Sequence, residues 1–206
     1  MKRVTAAGLA AVMATLCSVA PASARPGPTL HQGGMIKTLI SNCSVTLVSN
    51  KTAYTSKHCG NGVWTEGTRV TNMRGQVIGT IDGIGSSTGR EPIDAIRIRI
   101  ADNVRVVGAA PTRDASTMKV GERIQAVGSM SRATGRFSDT RRVLVNNTNY
   151  PSVVINSDVV SVGGDSGGAI LDGQGRVIGI IKGGKTARDT YFVPIDLVEK
   201  YLPAHS

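Results

Sequence analysis

Eleven short stretches of this 206-residue chain read as strands, many of them with Val, Ile or Leu at alternate or consecutive positions, and turn-forming residues separate them. They fall at 36–40, 44–48, 76–81, 95–100, 104–107, 123–127, 142–146, 153–155, 169–171, 176–181 and 190–193. A period of two sends successive side chains to opposite faces of a strand. The run Ile96-Arg97-Ile98-Arg99-Ile100 shows it most plainly, with isoleucines expected inside and arginines outside. Only 194–202 reads as a helix, because Ile195, Val198, Tyr201 and Leu202 recur at helical spacing after a helix-starting Pro194. Many short strands with turns between them point to an all-β sandwich or barrel. The stretch 108–121, with Pro111, is expected to connect two halves, and no internal repeat is evident.

Residues 1–24 stand apart from that pattern. Lys2 and Arg3 precede an apolar stretch over 6–20, and Ala22-Ser23-Ala24 closes it with the small-x-small pattern of signal-peptide cleavage. The stretch is too short and too rich in alanine for a membrane span. The expectation is an exported, secreted protein, cleaved after Ala24 and not inserted in the membrane afterwards. Its 25–206 remainder is long enough for one domain with a proper core. Of three cysteines, Cys17 leaves with the leader, so Cys43 and Cys59 read as one disulfide. That bridge closes a loop of about 15 residues, worth roughly 3 kcal/mol in the chain-entropy model. The net charge is +10, with Lys2 and Arg3 in the leader. Because the other basic residues are scattered and aromatics are few, the charge reads as a solubilising surface, with no nucleic-acid partner.

The chemistry concentrates in Gly164-Asp165-Ser166-Gly167-Gly168. A serine hydroxyl is a poor nucleophile until the backbone exposes it beside a base and within reach of oxyanion donors. The flanking glycines let main-chain N–H groups and substrate approach closely. Three histidines are available as base. His31 lies in a Pro/Gly-rich N-terminal stretch and His205 is penultimate, which leaves His58, in Thr55-Ser56-Lys57-His58-Cys59-Gly60.

In that order, Cys43, the Thr55–Cys59 run and the Gly164–Gly168 run resemble the chymotrypsin-like (trypsin-fold) serine proteases, most of all the small secreted bacterial streptogrisin and α-lytic protease type. The resemblance implies two packed six-stranded Greek-key β-barrels, all-β, with the active site in the cleft between them and a short C-terminal helix. The N-terminal barrel is expected over about 33–108, the C-terminal barrel over about 119–193 and the helix over about 194–203. It implies a serine endopeptidase acting through an acyl-enzyme, with His58, Ser166 and a carboxylate as catalytic residues and the backbone N–H groups of Gly164 and Ser166 as the oxyanion hole. Among Glu66, Asp82, Glu91, Asp94, Asp102, Asp114, Glu122, Asp139 and Asp158, Asp94 is favoured because it opens the 96–100 strand; Asp82 and Asp102 are its rivals. Protein or peptide substrates, a monomer, no cofactor and no metal follow from the same resemblance.

The primary pocket is expected around Val160, Ser161, Lys182, Gly183, Gly184 and Thr190. Val160 stands where trypsin-like members carry an aspartate, so a neutral, mainly apolar side chain is the expected preference, although Asp158 or Asp189 leaves a basic one open. No histidine lies near Ile181, as a glutamate-selective pocket would require. No long pro-segment is expected, so Asp165 should pair with an internal arginine, Arg132 or Arg136. Lysines occupy two sensitive positions: Lys57 precedes the histidine, and Lys182 replaces a serine that supports the catalytic aspartate in relatives. Both are expected to snorkel to solvent with little effect. The competing reading is a weak or inactive homologue that serves as a secreted binding protein.

Overall fold

Ile96, Ile98 and Ile100 are buried while Arg97 and Arg99 stay at least partly exposed, so the period-two run becomes a strand with one face inward. In the computed structural model, which describes residues 27–39, 42–146, 148–184, 186 and 189–205, such strands make up most of the regular structure. The expected signal peptide, 1–24, lies outside the described residues, as does residue 40 of the first expected strand. No helix among the described residues is long and apolar enough to cross a membrane.

The first half contains β1 (Thr29–His31), β2 (Met35–Lys37), β3 (Asn42–Ser44), β4 (Thr46–Leu47), β5 (Thr52–Thr55), β6 (Arg69–Asn72), β7 (Val77–Ile84), β8 (Ile96–Ile100) and β9 (Arg105–Val107). Seven of these form an antiparallel sheet in the order β3-β2-β6-β7-β8-β5-β4. Only Val45 separates β3 from β4, so one bent strand supplies both edges and the sheet closes into a six-stranded barrel. Outside it, β1 pairs in parallel with β9.

The second half contains β10 (Arg123–Val127), β11 (Arg132–Arg136), β12 (Val143–Val145), β13 (Ser152–Ser157), β14 (Ala169–Asp172), β15 (Val177–Gly184) and β16 (Thr190–Pro194), in the order β11-β10-β14-β15-β16-β13-β12. The end of β11 turns back towards β13. Arg136 N–H donates to Asp158 Oδ1 at 2.8 Å, and Ser138 Oγ donates to Asn156 O at 3.4 Å. The seventh strand, β12, is an added hairpin arm on β13.

The halves do repeat each other, contrary to the expectation. Val77-Ile78-Gly79 opens β7 and Val177-Ile178-Gly179 opens β15; both strands run eight residues and shift register, between Ile81 and Gly83 and between Ile181 and Gly183. These bulges bend the two longest strands around their barrels.

Each barrel has its own core, one around Ile36, Leu47, Ile78 and Ile98, the other around Ile124, Phe137, Ile155 and Phe192. A third cluster joins Tyr54, Ile93 and Ala95 of the first half to Val153, Ile180 and Val193 of the second. Each such fully buried side chain contributes about 1.5–3 kcal/mol relative to exposure. The helix α1 (Ile195–Tyr201) packs on this interface through Ile195, Leu197 and Val198. Tyr201, expected on its inner face, is instead exposed, and its hydroxyl bonds Glu91 at 2.7 Å.

Candidate active site

The serine loop runs between β13 and β14 and is stitched to the opposite barrel. Ser44 N–H donates to Ser166 O at 2.7 Å, Ser44 Oγ to Gly164 O at 2.8 Å and Thr46 Oγ1 to Gly167 O at 2.9 Å. Gly167 has φ +86°, and a Cβ there would come within 2.3 Å of Ser44 O and Thr55 Oγ1. Only glycine fits that close approach. The N–H groups of Asp165, Gly167 and Gly168 donate to Val162, Ile181 and Asp165 carbonyls. Those of Gly164 and Ser166 make no hydrogen bond among the described residues. They are two main-chain donors one residue apart, beside a serine hydroxyl.

Asp165 is fully buried, yet no arginine among the described residues reaches it. Its Oδ1 accepts from Met130 N–H and Ser131 N–H, both at 2.9 Å; its Oδ2 accepts from Val162 N–H at 2.9 Å and from the Ser131 hydroxyl. A Cβ on Gly128 would sit 2.1 Å from Asp165 Oδ1, so that glycine makes room for the carboxylate. The expected ion pair is therefore replaced by neutral donors. Arg132 bonds Gln32 O at 3.4 Å, and Arg136 bonds Gly121 O at 2.8 Å.

His58 lies on a 3₁₀ turn, Lys57–Gly60, directly after β5. The turn ends at Asn61 in the left-handed region, φ 45°, and a Cys43–Cys59 disulfide ties it to β3. Asp94 sits in front of β8 and is fully buried. Its Oδ1 accepts from His58 backbone N–H at 2.9 Å, and its Oδ2 faces His58 Nδ1 at 2.8 Å. A carboxylate can only accept, so Nδ1 carries the proton and Nε2 is left with its lone pair. Burial pushes the Asp94 carboxyl up, but the hydrogen bond and charge of His58 and the Lys182 ammonium outweigh it and hold it below the ordinary carboxylate range.

The rivals of Asp94 lie elsewhere. Asp82 binds Arg97 at 2.8 Å and His205 at 2.6 Å, and Asp102 lies in the turn after β8.

The two lysines part company. Lys57 Nζ donates to Gly85 O and Ser87 Oγ, both at 2.8 Å, while burial, opposed by the Asp94 charge, holds its ammonium below the usual lysine range. Lys182 does not snorkel: its side chain is 9% exposed, and its Nζ donates to Asp94 Oδ2 at 2.5 Å and to Tyr150 O at 2.7 Å. Its carbonyl accepts from Ser166 Oγ at 3.4 Å, so the serine hydroxyl is turned towards β15 and not onto His58.

Beside His58 opens a cleft of about 660 Å³, lined by Val143, Leu144, Tyr150, Lys182, Gly183 and Tyr191 among others. Of the expected pocket residues, Lys182, Gly183 and Gly184 line this cleft. Val160, Ser161 and Thr190 are not among its lining residues: Ser161 Oγ is 2.7 Å from Thr190 Oγ1, which donates to Val159 O at 2.6 Å. Val143, Leu144, Val145, Asn146, Thr148 and Tyr150 also line the cleft and are not among the expected site residues. Their one signal was an apolar run, Val143-Leu144-Val145, that stays half-exposed because β12 is an arm outside the barrel.

Residues 29–180 match the model of the trypsin-like peptidase domain. The chain belongs to the trypsin-like peptidase family. Solved structures similar to this peptidase include Thermobifida fusca protease A, with 20% identity, a TM-score of 0.66 and coverage of 84% of this chain and 95% of that one. Cellulomonas bogoriensis chymotrypsin is 20% identical at TM-score 0.65, covering 84% and 94%. A glutamic acid specific serine protease that uses a histidine triad in substrate binding is 24% identical at TM-score 0.64, covering 83% and 96%. At such identities the likeness establishes the fold. A comparison with curated proteins returned no match.

Proposed function

We propose that this peptidase is a secreted serine endopeptidase. Ser166 Oγ attacks the scissile carbonyl carbon as His58 Nε2 takes its proton. The tetrahedral oxyanion is received by the N–H groups of Gly164 and Ser166. Collapse breaks the C–N bond, the amine leaves with the proton held by His58, and water then hydrolyses the Ser166 ester by the same exchange. Asp94 holds the imidazole in the required tautomer. The observation that carries the reading is the buried Asp94 carboxylate gripping both the backbone N–H and the ring of His58, across from a serine loop with two unused donors.

Substrate choice follows the cleft. The walls beside His58 include Val143, Leu144, Tyr150 and Tyr191, with the Lys182 ammonium turned to Asp94, and no carboxylate among the described residues lines them. This suits peptides with apolar side chains near the cleaved bond. Asp158 is turned to Arg136 N–H. A pocket of three histidines is not available, since His31 lies on β1 and His205 is bound to Asp82. The secreted binding-protein reading draws on the Ser166 hydroxyl pointing to Lys182 O rather than to His58. Digestion of a peptide library with the wild type and Ser166→Ala separates the two. Cleavage after apolar residues by the wild type alone supports the peptidase; no cleavage by a folded wild type that still binds peptides supports the other.

A further inference from the structure

The bulged positions of β7 and β15 carry opposite charges. Asp82 pairs with Arg97 of its own barrel and with His205 beyond the helix. Lys182, at the matching place, reaches across the cleft to Asp94 of the other barrel. A buried ammonium needs full partnering, and Lys182 takes it from Asp94 Oδ2 and Tyr150 O. That carboxylate oxygen already receives His58 Nδ1. With His58 neutral, aspartate and lysine balance each other. Protonating His58 would set two cations against a single oxygen of a fully buried carboxylate, and no second carboxylate among the described residues contacts it.

We propose that Lys182 is a positioning residue that fixes the charge of the Asp94–His58 pair and so extends peptidase activity towards lower pH. The inference rests on the serine peptidase reading of the same site. The groups facing the pair are few. From the 3₁₀ turn comes Lys57, whose ammonium is turned away to Gly85 O and Ser87 Oγ. From the loop before β13 comes Tyr150, its ring centroid 6.2 Å from that of His58. From β15 comes Lys182 itself, which makes it the cation in direct contact with the carboxylate. Two unit charges held against the same carboxylate oxygen in a partly buried site interact strongly enough to move an acid limb by roughly one to two pH units.

The test is the dependence of kcat/KM on pH for the wild type, Lys182→Met, Lys182→Gln and Lys182→Arg. Lys182→Met and Lys182→Gln should move the acid limb up by about one pH unit or more, an approximately tenfold loss at the foot of the limb. Lys182→Arg should keep the wild-type limb. Folding of each variant is checked by near-ultraviolet circular dichroism. An unmoved limb in folded Lys182→Met or Lys182→Gln overturns the proposal. So does failure of both charge-free variants to fold while Lys182→Arg folds and works, since the ammonium would then serve the fold. A wild type inactive at every pH would instead overturn the peptidase reading.

Discussion

Asp165 shows how much one side chain sets. Its four acceptor contacts all come from neutral groups in the 130–131 turn and Val162, so the chain's own turn holds the serine loop. Asp165→Asn would place an amide among those donors and leave buried N–H groups facing one another. It should lower stability by about 2–3 kcal/mol and abolish activity, as read by Tm and peptide cleavage. Ser131→Ala removes one donor and should cost about 1 kcal/mol while retaining activity. The family resemblance pointed to an internal arginine here. Nothing in Ser129-Met130-Ser131 signals that three N–H groups and a hydroxyl converge on one carboxylate. His58 and Ser166, by contrast, were legible as singular residue types in distinctive runs, and Asp94 from its place before an alternating strand. The Lys182 side chain differs from its expected solvent route because sequence does not show that Asp94 Oδ2 and Tyr150 O lie within its reach.

Among elements, the strands legible in advance are those with an apolar face. β5 escaped the sequence pattern because Thr52-Ala53-Tyr54-Thr55 looks polar, yet all four residues are buried, Ala53 in the first barrel's core and Tyr54 where the barrels meet. Their hydroxyls find local partners: Tyr54 OH donates to Leu202 O at 2.7 Å, and Thr55 Oγ1 donates to Ser44 O at 2.8 Å. β11 escaped for the opposite reason, since Arg132-Ala133-Thr134-Gly135-Arg136 has almost no apolar face. The repeated Val-Ile-Gly of β7 and β15 is too short to stand out without the matching bulges. The 3₁₀ turn carrying His58 depends on its bridge to β3. Replacing Cys43 and Cys59 together by Ala should cost about 3 kcal/mol in a denaturant titration, on the chain-entropy account of a loop this size. Freeing the turn should also reduce kcat more than it raises KM, because the base loses its fixed position.

At the scale of the whole molecule, the last residues bind the two barrels together. After α1 the chain crosses to the first barrel, where His205 Nε2 meets Asp82 Oδ2 at 2.6 Å and Arg97 Nη1 donates to Pro203 O at 2.7 Å. Burial pushes the Asp82 carboxyl up, but hydrogen bonds from Arg97 and His205 outweigh it and hold it below the ordinary range. A carboxyl depressed in the folded state contributes its stability in full above its unfolded value and loses it as pH falls through the folded one. The Tm difference between the wild type and Asp82→Asn should therefore be largest near neutrality and shrink towards pH 3. A difference constant with pH would contradict this linkage. The resemblance implied the two barrels and the helical spacing over 194–202 the short helix, whereas this clasp was not expected, because His205 near the chain end carries no periodic signal. The central claim is that Ser166 is a nucleophile activated across the barrel cleft by His58. Labelling with a fluorophosphonate, followed by mapping of the adduct, tests it directly. The account predicts modification at Ser166 that disappears in His58→Ala; a folded wild type left unlabelled from mildly acidic to alkaline pH would contradict it.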